Sequence, residues 1–200
     1  MGTDRFARHI KGIRNEEILK AALKEFGHRG STMRIEDVTA SVGIGKGTLY
    51  RHYDSRLNLL RAALAYGVRE LHLRALAARD GSTAASASPD DQGLTAVIAE
   101  LAAMNTQRDP ASPASLCRLR GCESWPEPLD ADCEPNGALG PLIVRWQADG
   151  LFDRGERPDW IAALIIGAVN SPLLASDGDG DLPERAAHAV FLIRRAFAAR

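Results

Sequence analysis

Between Arg34 and Arg56 the chain reads RIEDVTASVGIGKGTLYRHYDSR, and no other stretch limits the fold as tightly. Ile35, Val38 and Val42 recur at helical spacing. Gly43 then breaks the pattern at a point where a left-handed backbone is often required, which glycine tolerates well. Ile44 and Leu49 resume the apolar face one turn later. Two short helices crossing at a small-residue turn make a helix-turn-helix. Gly45, Lys46, Gly47 and Thr48 open the second helix, and Tyr50, Arg51, His52 and Tyr53 close it; Leu49 and Tyr53 are the residues that pack inward. Glycines at its start leave backbone N–H groups open to an anion, which the helix dipole also favours. Lys46 and Thr48 suit base edges, while Gly45 and Gly47 allow close approach. Tyr50, Arg51, His52 and Arg56 suit phosphate oxygens, joined by Arg34 from the start of the first helix. A helix that only filled space would seldom spend so many donors on one face.

Charge supports a polyanion at this end. Residues 1–56 hold 11 Lys+Arg and 7 Asp+Glu, a balance of +4, and the rest of the chain holds 14 and 19, a balance of −5. All four lysines, Lys11, Lys20, Lys24 and Lys46, lie in the basic part. The basic end should dock and the acidic remainder stay off, although +4 alone is also reached by helical segments that bind nothing.

The spacing predicts an all-α fold of about nine helices: an N-terminal three-helix helix-turn-helix domain at 11–71, and a C-terminal helical domain at 72–200. Met1–Lys11 is polar and basic and is expected to fray. Helix one is expected over Arg14–His28, with Ile18, Leu19, Ala22, Leu23 and Phe26 inward. Helix two is expected over Arg34–Ser41, capped by Thr32, and helix three over Lys46–Tyr53. Helix four should start after Ser55 as N-cap and run to Ala78. Asp80–Asp91 reads as loop, Gln92–Thr106 as helix, Ser115–Cys122 as a short helix and WPEPLDADCEPNG as irregular. Helices then follow at Leu139–Asp149, Asp159–Leu174 and Asp181–Arg200. No strand pattern is present.

Three stretches in the right order and spacing resemble the N-terminal DNA-binding domain of the TetR family of transcriptional regulators: RNEEILKAALKEFGHRG at Arg14–Gly30, GIGKGTLYRHY at Gly43–Tyr53 and DSRLNLLRAAL at Asp54–Leu64. The chain departs from the family pattern in places. Thr39 stands where alanine is usual, and either loosens the contact between the two helices or bonds back to the preceding turn. Arg56 stands for lysine, Leu57 for glutamate and Tyr53 for phenylalanine, whose added hydroxyl needs a partner.

The resemblance implies a DNA-binding regulator, more often a repressor, acting as a homodimer on a palindromic double-stranded operator. It further implies a C-terminal cavity for a small molecule of unknown identity. Trp160, Leu164 and Ala168 on one helix, and Val190, Ile193 and Phe197 on another, are the candidate dimer surface, with ordinary core as the alternative. Met104, Cys117, Trp125, Trp146 and Phe152 are candidate ligand-lining residues, each of which also suits plain packing. A further reading is an all-α small-molecule sensor or interaction protein whose helix-turn-helix is vestigial.

Other signals carry less. No run of about 18 apolar residues is long enough to span a membrane, and MGTDRFARHI lacks the apolar region of a signal peptide, so a cytoplasmic protein is expected. Cys117, Cys122 and Cys133 form neither a disulfide framework nor a zinc spacing. Asp177–Asp181 has the composition of a calcium loop but lacks its closing glutamate. Gly43–Thr48 lacks a preceding strand and the full phosphate-loop motif. No Ser/His/Asp or paired-carboxylate set is visible, so no enzyme, cofactor or metal is implied.

Overall fold

The computed structural model describes residues 3–81, 89–125, 128–175 and 182–197. Those residues contain ten α-helices and no strand: α1 Thr3–Arg29, α2 Ile35–Val42, α3 Lys46–Tyr50, α4 Arg56–Asp80, α5 Pro89–Thr106, α6 Pro113–Cys122, α7 Gly140–Ala148, α8 Pro158–Val169, the single turn α9 Pro172–Ala175, and α10 Leu182–Phe197. Short 3-10 turns occupy Gly30–Thr32, Ala131–Cys133 and Pro135–Leu139.

α4 is the axis of the molecule. It packs against α1, α5, α6 and both 3-10 turns of the 131–139 segment, so it belongs to the N-terminal unit and to the helical body alike. Its buried face carries Leu59, Leu60, Ala63, Leu64, Tyr66, Gly67, Val68, Leu71 and Ala75. Gly67 sits at the tightest crossing: a Cβ there would lie 2.5 Å from Leu116 Cδ2 and 3.1 Å from Leu23 Cδ1. The missing side chain lets α1 and α6 close on α4 together. Ser55 caps the helix as expected, its hydroxyl accepting the Asn58 N–H at 3.1 Å.

Several boundaries differ from the sequence reading for identifiable reasons. α1 begins at Thr3 and takes in most of the stretch expected to fray. α6 begins two residues earlier than expected, because Ser112 caps it and Pro113 occupies the first turn, where a missing N–H costs nothing. The expected helix Asp159–Leu174 is broken after Val169, since Pro172 has no N–H to continue the ladder and Ser171 Oγ donates to the Ala168 carbonyl instead. α5 starts at Pro89, three residues before the expected Gln92. The Asp177–Asp181 loop, and the centre of the loop expected at Asp80–Asp91, lie outside the described residues.

Candidate nucleic-acid interface

The turn between α2 and α3 is built by backbone geometry. Gly43 takes φ 71° and closes α2, its N–H bonding the Thr39 carbonyl, and the Ile44 N–H reaches the same oxygen at 3.1 Å. Thr39 is buried, and its hydroxyl donates to the Glu36 carbonyl at 3.1 Å, the second of the two arrangements open to it. At the other end of α2, Thr32 is not the cap. Its hydroxyl donates to the Arg29 carbonyl at 2.7 Å and closes α1, while the Asp37 carboxylate accepts the Arg34 N–H at 2.8 Å. Sequence spacing allowed Thr32 to serve either helix; the 3-10 turn at Gly30–Thr32 settles it by aiming the side chain backwards.

α3 rests on a single anchor. Leu49 is 1% exposed and packs into the common core with Val38, Ile18 and Phe26. Around it Gly45, Lys46, Gly47, Tyr50, Arg51 and His52 are exposed, and Thr48 is half-buried. The helix proper ends at Tyr50, shorter than expected, and residues 51–52 continue as a turn with the His52 N–H on the Leu49 carbonyl at 2.9 Å. Tyr53 turns inward, and its hydroxyl donates to Asn15 Oδ1 at 2.7 Å, which gives the extra oxygen its partner. Neither Gly45 nor Gly47 is required by the chain itself, since a Cβ at either position would meet nothing within 4 Å and neither has a left-handed backbone.

Three cations of the set are engaged within the molecule, Arg51 by a long bond from its Nη2 to Thr48 Oγ1 at 3.4 Å. Lys46 pairs with Glu36 across the turn, and this contact holds the Glu36 carboxyl below its ordinary pKa. Both groups are exposed, so the pair is weak and exchangeable. Arg56, expected to face phosphate, is engaged far more firmly. Its Nε donates to the Met33 carbonyl at 2.9 Å and its Nη2 to the Ser31 carbonyl at 3.0 Å. Its Nη1 and Nη2 grip the Glu123 carboxylate at 3.0 and 2.8 Å. A guanidinium with four such bonds ties the end of α6 to the base of the helix-turn-helix. Glu123 is the functional partner that sequence reasoning missed, because 67 residues separate the pair.

The C-terminal assignments change more. Met104, Trp146 and Phe152 are buried in the core, the last two as an edge-to-face pair with centroids 6.2 Å apart. Cys117 is half-buried with its sulfur 3.8 Å from Asn170 Nδ2, and Trp125 donates its Nε1–H to the Arg120 carbonyl at 2.9 Å. None of these five lines the cleft beside α4 or the groove between Ala168 and Ile193.

Of the candidate dimer residues, Trp160 and Leu164 are exposed at 58% and 50%. Ala168 and Phe197 are half-buried, but Val190 and Ile193 are buried against their own chain. The apolar stripe of α10 faces its own core, and the exposed apolar residues of that helix are Phe191 and Leu192. No cluster of three or more metal-binding side chains occurs among the described residues, and no helix there is long and apolar enough to cross a membrane.

The described residues form an all-helical body hung on a long α4, with a glycine-turned helix-turn-helix at its N-terminal end. Residues 18–63 match the family model for bacterial regulatory proteins of the tetR family. That match covers the N-terminal unit, and the chain as a whole shares its fold with solved structures of TetR-family transcriptional regulators.

Among solved structures, a TetR-family transcription regulator from Marinobacter aquaeolei VT8 is similar with a TM-score of 0.67 at 20% identity, over 96% of this chain and 100% of that one. A TetR-family regulator from Pectobacterium atrosepticum gives 0.56 at 22% identity, over 96% and 97%. The transcriptional regulator FadR from Bacillus subtilis, in complex with stearoyl-CoA, gives 0.62 at 13% identity, over 88% and 96%. No curated protein matches the chain.

Proposed function

We propose that this chain is a sequence-specific DNA-binding repressor that works in the cytoplasm as a homodimer on a palindromic operator and answers to a small molecule. One observation carries the reading. α3 is pinned by Leu49 alone, and all the rest of its surface is donors and bare glycine backbone. Lys46 and Thr48 are assigned to base edges, with Gly45 and Gly47 letting the backbone approach; the open space at both glycines supports this. Tyr50, Arg51, His52 and Arg34 are assigned to phosphates, which set register. Lys46 exchanges Glu36 for DNA at little cost, both being exposed. Arg56 holds the frame and makes no DNA contact.

Two reading heads in a dimer would stand about 34 Å apart, one turn of duplex. The exposed Trp160 and Leu164 of α8, with Phe191 and Leu192 of α10, supply a surface for pairing by helix-on-helix packing. The division into 11–71 and 72–200 places the boundary within α4, which would transmit a ligand's effect. Couplings of about 1–3 kcal/mol suffice for graded release. FadR, crystallised with stearoyl-CoA, is a precedent for a small molecule in this fold.

Selection from a randomised duplex pool, repeated with variants, tests the assignment of contacts. Lys46→Ala is expected to change the sequence preferred. Tyr50→Ala is expected to weaken binding to all duplexes alike. The opposite pattern refutes the sorting, and no enrichment with the native chain would leave a sensor with a vestigial helix-turn-helix.

A further inference from the structure

We propose that the cleft between α1, α4 and the 131–141 segment binds a small acid with an apolar body and a second polar end. The cleft has a volume of about 530 Å³, inside the roughly 300–1,000 Å³ range of small-molecule sites. Its apolar lining comes from Leu19, Ala65 and Val68 on the helices and Pro141 opposite. It is separate from the core that holds Met104, Trp146 and Phe152.

The polar groups are few and placed at the edges. Arg69 is exposed at the rim, its guanidinium carbon 5.3 Å from the centre of the Tyr66 ring, and after Lys20 its charge helps to hold the Glu16 carboxyl below its ordinary pKa. The nearest carboxylate of α1, Glu16, is occupied. It bonds Lys20 at 2.8 Å and accepts the Tyr66 hydroxyl at 3.3 Å. Arg69 acts on Glu16 through charge while Lys20 and Tyr66 make the bonds, so its fork of donors suits an incoming carboxylate, whose geometry it matches.

His72 adds a second handle. Its Nδ1 lies 2.7 Å from the Ala138 carbonyl, so that nitrogen carries the hydrogen and Nε2 is left as the free polar atom of the ring. On the far wall Asp132, also exposed, presents a carboxylate. A ligand with an acid at one end and an O–H or N–H at the other answers both charges. A dianion would meet Asp132, and a purely apolar molecule gains nothing from Arg69.

The two walls come from different parts of the chain. Asn15 and Tyr66 belong to helices that carry the helix-turn-helix, whereas Asp132 and Ala138 belong to the C-terminal body. The walls are already bridged by His72 on Ala138, and by the Cys133 thiol 3.7 Å from the Arg61 carbonyl. An occupant would add a third bridge beside α4. The inference deepens the small-molecule reading above by naming a site and a ligand class.

The test is calorimetric titration of the full chain, without DNA, using 6-hydroxy-2-naphthoate and its acid-free counterpart 2-naphthol. Expected is one naphthoate per chain. Arg69→Gln, an exposed change, should weaken the naphthoate at least about tenfold, equal to about 1.4 kcal/mol, and leave 2-naphthol within about twofold. Ala65→Leu, which fills the cleft, should weaken both at least about tenfold while the circular-dichroism melt stays that of the native chain. Native-strength naphthoate binding in either variant overturns the proposal, as does no binding at about 1 mM or a loss of 2-naphthol equal to that of the acid in Arg69→Gln. Because no duplex enters the titration, a failure here is distinct from a failure of operator binding.

Discussion

Single residues separate the two demands on α3, which are to stay folded and to meet a partner. Gly47 lies inside a helix with open space around its Cα, so alanine should cost the free protein nothing and can add about 0.5–1 kcal/mol of helix stability. If the glycine serves close approach, Gly47→Ala should bind duplex at least about tenfold more weakly while melting at or above the native temperature. Thermal melts and anisotropy on the same preparation check both halves. Leu49→Ala is the converse. It removes the buried anchor and should destabilise by about 2–4 kcal/mol, read by denaturant unfolding.

Where local chemistry decides, the residue scale was legible. Gly43 at φ 71°, Ser55 as cap and Thr39 bonding to its own turn follow from what those side chains can do within four residues. Arg56 and Thr32 were not legible, because each had two possible partners and the choice fell to the position of a distant element.

At the scale of elements, helix type and order could be read from periodicity, while faces and ends could not always. The stripe Ala186, Val190, Ile193 marked α10 as a helix, but periodicity does not say whether a stripe meets the chain's own core or a second copy. Here it meets the core, and Phe191 and Leu192 face outward. The break before Pro172 was visible in the sequence and was outweighed by the apolar run around it.

Two expectations belong to this scale. Glu123→Ala removes the carboxylate that fixes Arg56 between α6 and α4, and should lower stability by about 1–3 kcal/mol in denaturant melts. Arg56→Lys, with Glu123 kept, should also lower stability, because one ammonium lacks the planar fork that spans two carbonyls and a carboxylate at once. The cysteines should differ in reactivity. Burial pushes the Cys117 and Cys133 thiols above their ordinary pKa, so at pH 8 each holds less reactive thiolate, whereas Cys122 is exposed. A thiol-reactive dye should modify Cys122 first, with the other two following only on unfolding.

For the whole molecule, the all-α class and the N-terminal helix-turn-helix were readable because a short motif with fixed spacing encodes them. The cavity was not. Of the residues expected to line it, Met104, Trp146 and Phe152 are large, apolar and buried, and such residues fill cores more often than they border voids. The cleft that exists is bordered by alanines, Tyr66, Arg69 and Asp132, which carry no periodic signal.

The exposed apolar residues of α8 and α10 make assembly testable. Leu164→Glu should shift the chain from dimer to monomer in sedimentation, and should weaken operator binding without lowering the melting temperature of the monomer.

The central claim is that the polar side of α3 meets a phosphate-bearing duplex, and one measurement tests it most directly: fluorescence anisotropy of the duplex lying just upstream of the chain's own coding sequence, titrated across salt. Arg34 and Arg51 on each of two heads give about four phosphate-facing cations, so log affinity should fall against log salt with a slope of about −3.6, roughly 150-fold between 50 and 200 mM. A Lys46→Ala, Arg51→Ala double variant should bind at least about a hundredfold more weakly, with a shallower slope from the loss of the phosphate-facing Arg51. Affinity that is flat with salt, or undiminished in the double variant, would contradict the account.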